Sequence, residues 1–173
     1  LNVSGSSFSD NDAADDGGAI HNDELGVVIV DHTKFLDNTA MDDDGAVANR
    51  DTGDFALACS DLTGNTAGSD GGSIHNTSNT GLTLTSSLVY NNESDGSGGG
   101  LANDSIGSAT VINTTFSGNR SATGGVVANQ GDLQLTHSTI YQNESVDGGG
   151  ISNAASVPDV LVIRNTIVAN NTA

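Results

Sequence analysis

Residues 55–76 read FALACSDLTGNTAGSDGGSIHN, and the same pattern stands once directly before and once directly after this stretch. Residues 28–49 read VIVDHTKFLDNTAMDDDGAVAN, and residues 82–103 read LTLTSSLVYNNESDGSGGGLAN. The shared pattern is LxLxxSxFxxNxAxxxGGxIxN, followed by a short variable loop. Such a repeat is typical of a solenoid, in which each unit packs on the copies before and after it.

The register of the repeat can be followed through the whole chain from its most apolar position. That position recurs at a constant spacing, apart from one shorter step before Ile140, at Phe8, Phe35, Leu62, Val89, Phe116, Ile140 and Ile167. A second apolar column begins seven residues earlier and runs from Leu1 to Val160. The differences in repeat length fall in two polar loops, which is where a solenoid tolerates insertions and deletions.

Apolar residues alternate with other residues inside each repeat, as in LxL, SxF and GxIxN. A period of two indicates β-strands with alternate side chains facing inward. The sequence therefore predicts an all-β fold, a single-stranded parallel β-helix with coils of about 27 residues and three short strands per coil. Six full coils and a partial seventh are expected, and they should be right-handed because parallel crossovers nearly always are. We expect residues 1–173 to form one domain, either a segment of a longer protein or a stacking subunit.

Two asparagine columns accompany the apolar columns. Stacked in register, their amides can hydrogen-bond from coil to coil as ladders. The first column contains Asn11, Asn38, Asn65, Asn92, Asn119, Asn143 and Asn170. The second column contains Asn22, Asn49, Asn76, Asn103, Asn129 and Asn153. A glycine column, expected to need either a positive φ or a close backbone approach, contains Gly18, Gly45, Gly72, Gly99, Gly125 and Gly149.

The charge of the chain excludes several classes of partner. The chain has 22 acidic residues and four Lys or Arg, a net charge of −18. Nucleic acids and anionic membranes attract basic surfaces, so neither is an expected partner, and no apolar stretch is long enough to insert into a membrane. Cys59 is the single cysteine and cannot form an internal disulfide.

Six aspartates precede or enter the glycine turns of the first three repeats. Coils stack about 4.8 Å apart, so these carboxylates would repel one another unless a cation lay between them. A hard cation such as Ca²⁺ takes oxygen ligands of this kind. The candidate calcium ligands are Asp15, Asp16, Asp42, Asp43, Asp44 and Asp70. The alternative interpretation is a solvated acidic loop without a bound ion.

The histidines and basic residues do not indicate catalysis. His32 and His137 share a column but are separated by three coils, and His21 and His75 have Ala48 between them, so neither pair can share a metal ion. We expect all four histidines to be exposed or in turns. The four basic residues fall in four different columns and form no clear basic cleft. No catalytic residue is therefore assigned.

Several tetrapeptides carry a resemblance to a known family. GGAI at 17–20, GGSI at 71–74, and FSDN, FLDN and FSGN beginning at Phe8, Phe35 and Phe116 resemble the GGA/I and FxxN repeats of polymorphic outer-membrane proteins. The resemblance covers essentially the whole chain. It implies a parallel β-helix displayed at the surface and used in adhesion.

These observations predict a non-catalytic extracellular scaffold, adhesin-like and secreted or located at the cell surface. The open edges of the first and last coils predict pairing with other protein chains, including end-to-end assembly into a filament. Glycans are a second class of expected partner. The alternative function is a polysaccharide-binding or lyase-type polysaccharide-degrading β-helix, because that fold also hosts such proteins.

Overall fold

Each repeat forms one coil in the computed structural model, which describes residues 1–154 and 158–173. Each of the six full coils contains four short strands rather than the predicted three. The additional strand follows the first asparagine column, where a short segment pairs with its copy in the next coil. The sequence pattern treats this segment as a corner, because it contains a single small inward residue instead of an alternating pair.

The strands form four parallel sheets, numbered in the order in which the chain enters them. Sheet I contains β1 (Asn2–Ser4), β5 (Val27–Asp31), β9 (Asp54–Ala58), β13 (Gly81–Thr85), β17 (Ser108–Ile112), β21 (Asp132–Thr136) and β25 (Leu161–Arg164). Sheet II contains β2 (Ser7–Ser9), β6 (Lys34–Leu36), β10 (Asp61–Thr63), β14 (Leu88–Tyr90), β18 (Thr115–Ser117), β22 (Thr139–Tyr141) and β26 (Ile167–Ala169). Sheet III contains β3 (Asp12–Ala13), β7 (Thr39–Ala40), β11 (Thr66–Ala67), β15 (Glu93–Ser97), β19 (Arg120–Thr123) and β23 (Glu144–Ser145). Sheet IV contains β4 (Ile20–Asn22), β8 (Val47–Asn49), β12 (Ile74–Asn76), β16 (Leu101–Asn103), β20 (Val127–Asn129) and β24 (Ile151–Asn153).

Four successive strands make one coil, so β1–β4 form coil 1, β5–β8 form coil 2, and so on to the partial coil 7 of β25 and β26. Each strand pairs in parallel with its copy in the next coil, for example Val3 with Val30 and Leu62 with Val89. The prediction of an all-β parallel β-helix with six full coils and a partial seventh is confirmed.

The apolar columns fill a narrow interior. Val30, Phe35 and Ile74, one from each of three columns, are completely buried. The rings of Phe8 and Phe35 stack with centroids 5.2 Å apart. Stacking of like side chains in register therefore builds the core, and each coil contributes a small share of the buried area.

Both asparagine columns are continuous ladders inside this core. In the first, each amide Nδ2 donates to Oδ1 of the next asparagine at 2.6–3.1 Å. The same Oδ1 also accepts the backbone N–H of the preceding asparagine, as Asn65 does from Asn38. In the second ladder the corresponding distances are 2.8–2.9 Å. The ladders satisfy buried polar groups that the coil turns would otherwise leave without partners.

The predicted register is wrong by one residue in coil 7. Leu133 pairs with Leu161 and Ile140 with Val168, and the first ladder ends at Asn171 instead of Asn170. Continuous apolar runs near the C-terminus fit either alternation, so period two alone does not choose between the registers. The extra loop length inferred before Val160 includes residues 155–157, which lie outside the described residues.

A serine and threonine column identifies the correct register of coil 7. At this position the hydroxyl oxygen of each residue accepts the backbone N–H of the equivalent residue one coil earlier. Thr166, for example, accepts from Ser138 at 3.4 Å. The predicted register places Asn165 there instead. The hydroxyl column is therefore a third ladder and a better guide to register than the aliphatic residues.

The glycine column is explained by close approach of neighbouring coils. A Cβ on Gly45 would collide with the carbonyl oxygen of Gly72 in the next coil, and a Cβ on Gly18 would collide with that of Gly45. Among the described residues, no helix is long and apolar enough to cross a membrane.

Candidate functional site

The aspartate column before the glycine turns forms a ladder of its own. Oδ1 of Asp16 accepts the backbone N–H of Asp43 at 3.3 Å, and Oδ1 of Asp43 accepts that of Asp70 at 3.0 Å. Asp70 in turn accepts the N–H of Ser97 in coil 4. Each carboxylate thus satisfies a backbone group one coil later.

Arg50 lies across the same column and provides a positive charge. Its Nη2 lies 2.9 Å from Oδ2 of Asp16, 2.8 Å from Oδ2 of Asp44 and 3.6 Å from Oδ2 of Asp43. Burial would lower the pKa of Arg50, but its hydrogen bond to Asp44 and the charges of the three aspartates raise it. The guanidinium therefore occupies a place between carboxylates that sequence reasoning assigned to a cation.

Asp44 stands at a backbone position that the neighbouring coils give to glycine. Its φ is +68°, against +68° for Gly17 and +70° for Gly71. A side chain in this region is strained by about 1–3 kcal/mol. The Asp44 side chain is also completely buried, and burial raises the pKa of its carboxyl although His75 and Arg50 lower it. Strain and burial together indicate that the neighbouring cations hold this carboxylate in place.

His75, in coil 3, lies between two carboxylates. Nδ1 is 3.2 Å from Oδ1 of Asp44, and Nε2 is 3.1 Å from Oδ2 of Asp104 in coil 4. Both distances are within hydrogen-bonding range, and both carboxylates favour the protonated imidazole. Burial opposes protonation, but Asp104 and Asp44 outweigh it and raise the pKa of His75 to about 10. The contact with His75 lowers the pKa of Asp104 in spite of its partial burial.

We call these six residues, Asp16, Asp43, Asp44, Arg50, His75 and Asp104, the charged cluster. It joins coils 1 to 4 through ion pairs between adjacent turns. A histidine with a pKa of about 10 is protonated at neutral pH, so His75 lies as a cation between the carboxylates of Asp44 and Asp104.

The structure brings together only part of the predicted calcium ligand set. One carboxylate oxygen from each of Asp15, Asp16 and Asp42 lies within 4.8 Å of the others. Asp43 and Asp44 face Arg50, as Asp16 also does, and Asp70 accepts the backbone N–H of Ser97. Calcium binding by the first three stays a prediction, and the larger set of six is divided among different contacts.

The expectation that all histidines are exposed or in turns is wrong for His75, which is 3 % exposed. Sequence reasoning also did not connect it with Arg50 or Asp104. Repeat register contained the signal, because His75 directly precedes the second asparagine column, while Arg50 and Asp104 directly follow it in the coils on either side. Residues at such positions in adjacent coils stand next to one another.

Coil 1 carries a match to a known family. Residues 5–23, which include β2, β3 and β4, match the model of the Chlamydia polymorphic membrane protein repeat. The first coil of this parallel β-helix carries a polymorphic membrane protein-type repeat. The FSDN and GGAI tetrapeptides lie inside the matched segment, and the later coils of the β-helix carry the same pattern in register. The repeat family is consistent with a location at the outer membrane or cell surface. No curated protein and no solved structure matches the chain significantly.

Proposed function

We propose that this β-helix is a non-catalytic scaffold displayed at the cell surface, with an adhesin-like role in binding other surfaces. The match of coil 1 to a polymorphic membrane protein repeat carries the proposal, because it links the coil sequence to a family of surface proteins. The regular continuation of that pattern through the later coils supports it.

The internal contacts favour a rigid rod over an enzyme. Asparagine, hydroxyl and aspartate ladders form hydrogen bonds with the polar groups of the turns. The charged cluster pairs its histidine and arginine with carboxylates of the same chain. Asp44 and His75 are too deeply buried for a polysaccharide to contact them. The burial of these two residues supports a structural role for the charged cluster.

Assembly through coil edges is part of the same proposal. Coil 7 presents the exposed aliphatic residues Ile163, Ile167 and Val168, which are 44 %, 60 % and 48 % exposed. Edge strands of this kind pair readily with another strand. We propose that a second copy of the chain covers them. Light scattering coupled to size-exclusion chromatography tests this, and a monomer that persists at high concentration would count against self-assembly.

Binding and catalysis can be separated in one experiment. The labelled chain is incubated with cultured cells and with immobilised acidic and neutral glycans, while the supernatant is analysed for unsaturated or newly reducing sugar ends. The proposal expects saturable binding that the unlabelled chain competes away, with no sugar product. Product formation by the purified chain that heat denaturation abolishes would support the polysaccharide-degrading alternative. Absence of saturable binding to every surface would overturn the adhesin-like role.

A further inference from the structure

A second group of side chains lies away from the charged cluster, at the turn between sheets I and II. Asp31 and His32 of coil 2 and Cys59 of coil 3 each offer one ligand atom, and these three atoms lie within 4.8 Å of one another. We propose that Asp31, His32 and Cys59 form a binding site for a divalent transition-metal ion, with Zn²⁺ the best fit, and that water or an external ligand completes the coordination.

The β-helix itself creates this juxtaposition. His32 and Cys59 occupy the same turn position in adjacent coils, both with a left-handed backbone (φ +48° and +50°). The backbone N–H of His32 donates to the carbonyl of Ala58 at 3.2 Å, and that of Cys59 donates to Thr85 at 3.0 Å. The ladder therefore fixes the two Cα positions, so the backbone of the site is in place before any ion binds.

The three donors select the class of ion. Thiolate sulfur and imidazole nitrogen are preferred by Zn²⁺ and similar ions, whereas Ca²⁺ and Mg²⁺ prefer sets of oxygen atoms. Tetrahedral zinc with bonds of about 2.0–2.3 Å needs its ligand atoms somewhat closer together than 4.8 Å. The side chains of His32 and Asp31 are 68 % and 44 % exposed, so rotation about their side-chain bonds can close that difference.

The contacts and exposure of these side chains also indicate how the site would bind an ion. In the structure Nδ1 of His32 lies 2.8 Å from Oδ2 of Asp31, which already orients the imidazole beside Cys59. Cys59 is exposed and forms no disulfide. Coordination would release the thiol proton to solvent, so affinity should rise with pH. Three protein ligands leave one tetrahedral position open, as in zinc sites that bind a further ligand.

The same turn column provides conservative variants for a test. Ser86 and Asn113 occupy this position in coils 4 and 5 with φ of +50° and +53°, so the turn accommodates both residue types. Cys59→Ser and His32→Asn therefore remove a ligand without disturbing the backbone. His137→Asn is the matched control, because His137 occupies the same position in coil 6 but contacts Asn165.

Cobalt(II) is the spectroscopic probe, and Zn²⁺ is the competitor, both added to the whole chain under a non-thiol reductant. We expect one Co²⁺ per chain with a thiolate-to-cobalt charge-transfer band that stoichiometric Zn²⁺ removes and excess Ca²⁺ does not. Cys59→Ser should abolish the band, and His32→Asn should lower the affinity about tenfold or more, while His137→Asn leaves both unchanged. Far-ultraviolet circular dichroism of each variant without metal confirms its fold.

Two results would overturn the proposal. The first is the absence of a charge-transfer band in the wild-type chain. The second is an affinity that His32→Asn leaves unchanged, because the thiol would then bind the ion without the rest of the site.

Discussion

The carboxylate of Asp44 lies 3.2 Å from Nδ1 of His75 in the next coil, and the two side chains are buried, with the residues 0 % and 3 % exposed. Asp44 holds a left-handed backbone position that the coils on either side fill with glycine. A buried ion pair contributes little net stability relative to an apolar pair, but loss of one partner is costly because the other charge stays buried. The pair therefore makes the stability of these coils depend on the protonation of His75.

Stability should fall as the solution becomes alkaline. The pKa of His75 is about 10 in the folded chain and 6.5 without these contacts, so the folded state binds this proton more tightly. Its contribution is fully present below pH 6.5 and is lost as the pH rises through about 10. The free energy of unfolding should decrease by at most about 1.4 kcal/mol per pH unit over this window. Urea denaturation at a series of pH values measures the slope.

His75→Ala provides the corresponding variant, because Ala48 and Ala102 occupy the same position in the adjacent coils. At pH 7 it should cost about 3–5 kcal/mol, since the buried Asp44 loses a partner, and the alkaline slope should become smaller. His21→Ala changes an exposed residue in the same column and serves as the control. An unchanged alkaline slope in His75→Ala would show that other groups determine it.

Substitution in the first asparagine ladder should cost the most stability at the middle of the ladder. Asn65 accepts the N–H and Nδ2 of Asn38 through Oδ1, and its own Nδ2 donates to Asn92 and to the carbonyl of Phe35. Asn65→Ala leaves these buried groups without partners and should cost about 3 kcal/mol or more. Asn11→Ala at the exposed end of the ladder should cost less than about 1 kcal/mol. Thermal denaturation of the two variants compares them, and equal losses would contradict a cooperative ladder.

The sequence determines the fold of this chain more fully than its sites. Spacing alone predicts the solenoid, the parallel pairing and both asparagine ladders, because a strict repeat converts sequence separation into spatial adjacency. Spacing does not determine the register where consecutive residues are all apolar. Ile167 and Val168 are both apolar, so alternation does not choose between them, although the hydroxyl of Thr166 does.

The charged cluster is difficult to predict for a different reason. The sequence shows which carboxylates share a column, but it does not show which cations from other columns pair with them. Stacked aspartates in the sequence therefore suggest repulsion. The orientation of the Arg50 side chain toward Asp16 and Asp44 depends on rotamers that no column specifies. Burial of His75 likewise depends on what the turns of coils 2 and 4 place around it.

Close approach at the glycine turns gives a further prediction. Gly45→Ala places a Cβ against the carbonyl oxygen of Gly72, which belongs to the backbone of the next coil and cannot move alone. The substitution should cost about 1–3 kcal/mol or more. Gly5→Asn is the control, because a Cβ at Gly5 meets no atom within 4 Å and Asn113 occupies the equivalent turn. A shift of the urea midpoint for Gly5→Asn as large as that for Gly45→Ala would contradict this explanation.

Calcium provides the last prediction, and it concerns Asp15, Asp16 and Asp42, whose carboxylates lie within 4.8 Å of one another. An exposed site of three carboxylates should be weak, with a Kd of about 1 mM, so about 10 mM Ca²⁺ would stabilise the chain by about 1.4 kcal/mol. For a chain of this size that corresponds to a rise in melting temperature of about 3–6 °C. Asp42→Asn should remove the rise, whereas Asp70→Asn should not, because Asp70 accepts a backbone N–H from Ser97. Equal melting temperatures in Ca²⁺ and in chelator would show that Arg50 and the aspartate ladder are sufficient to balance these charges.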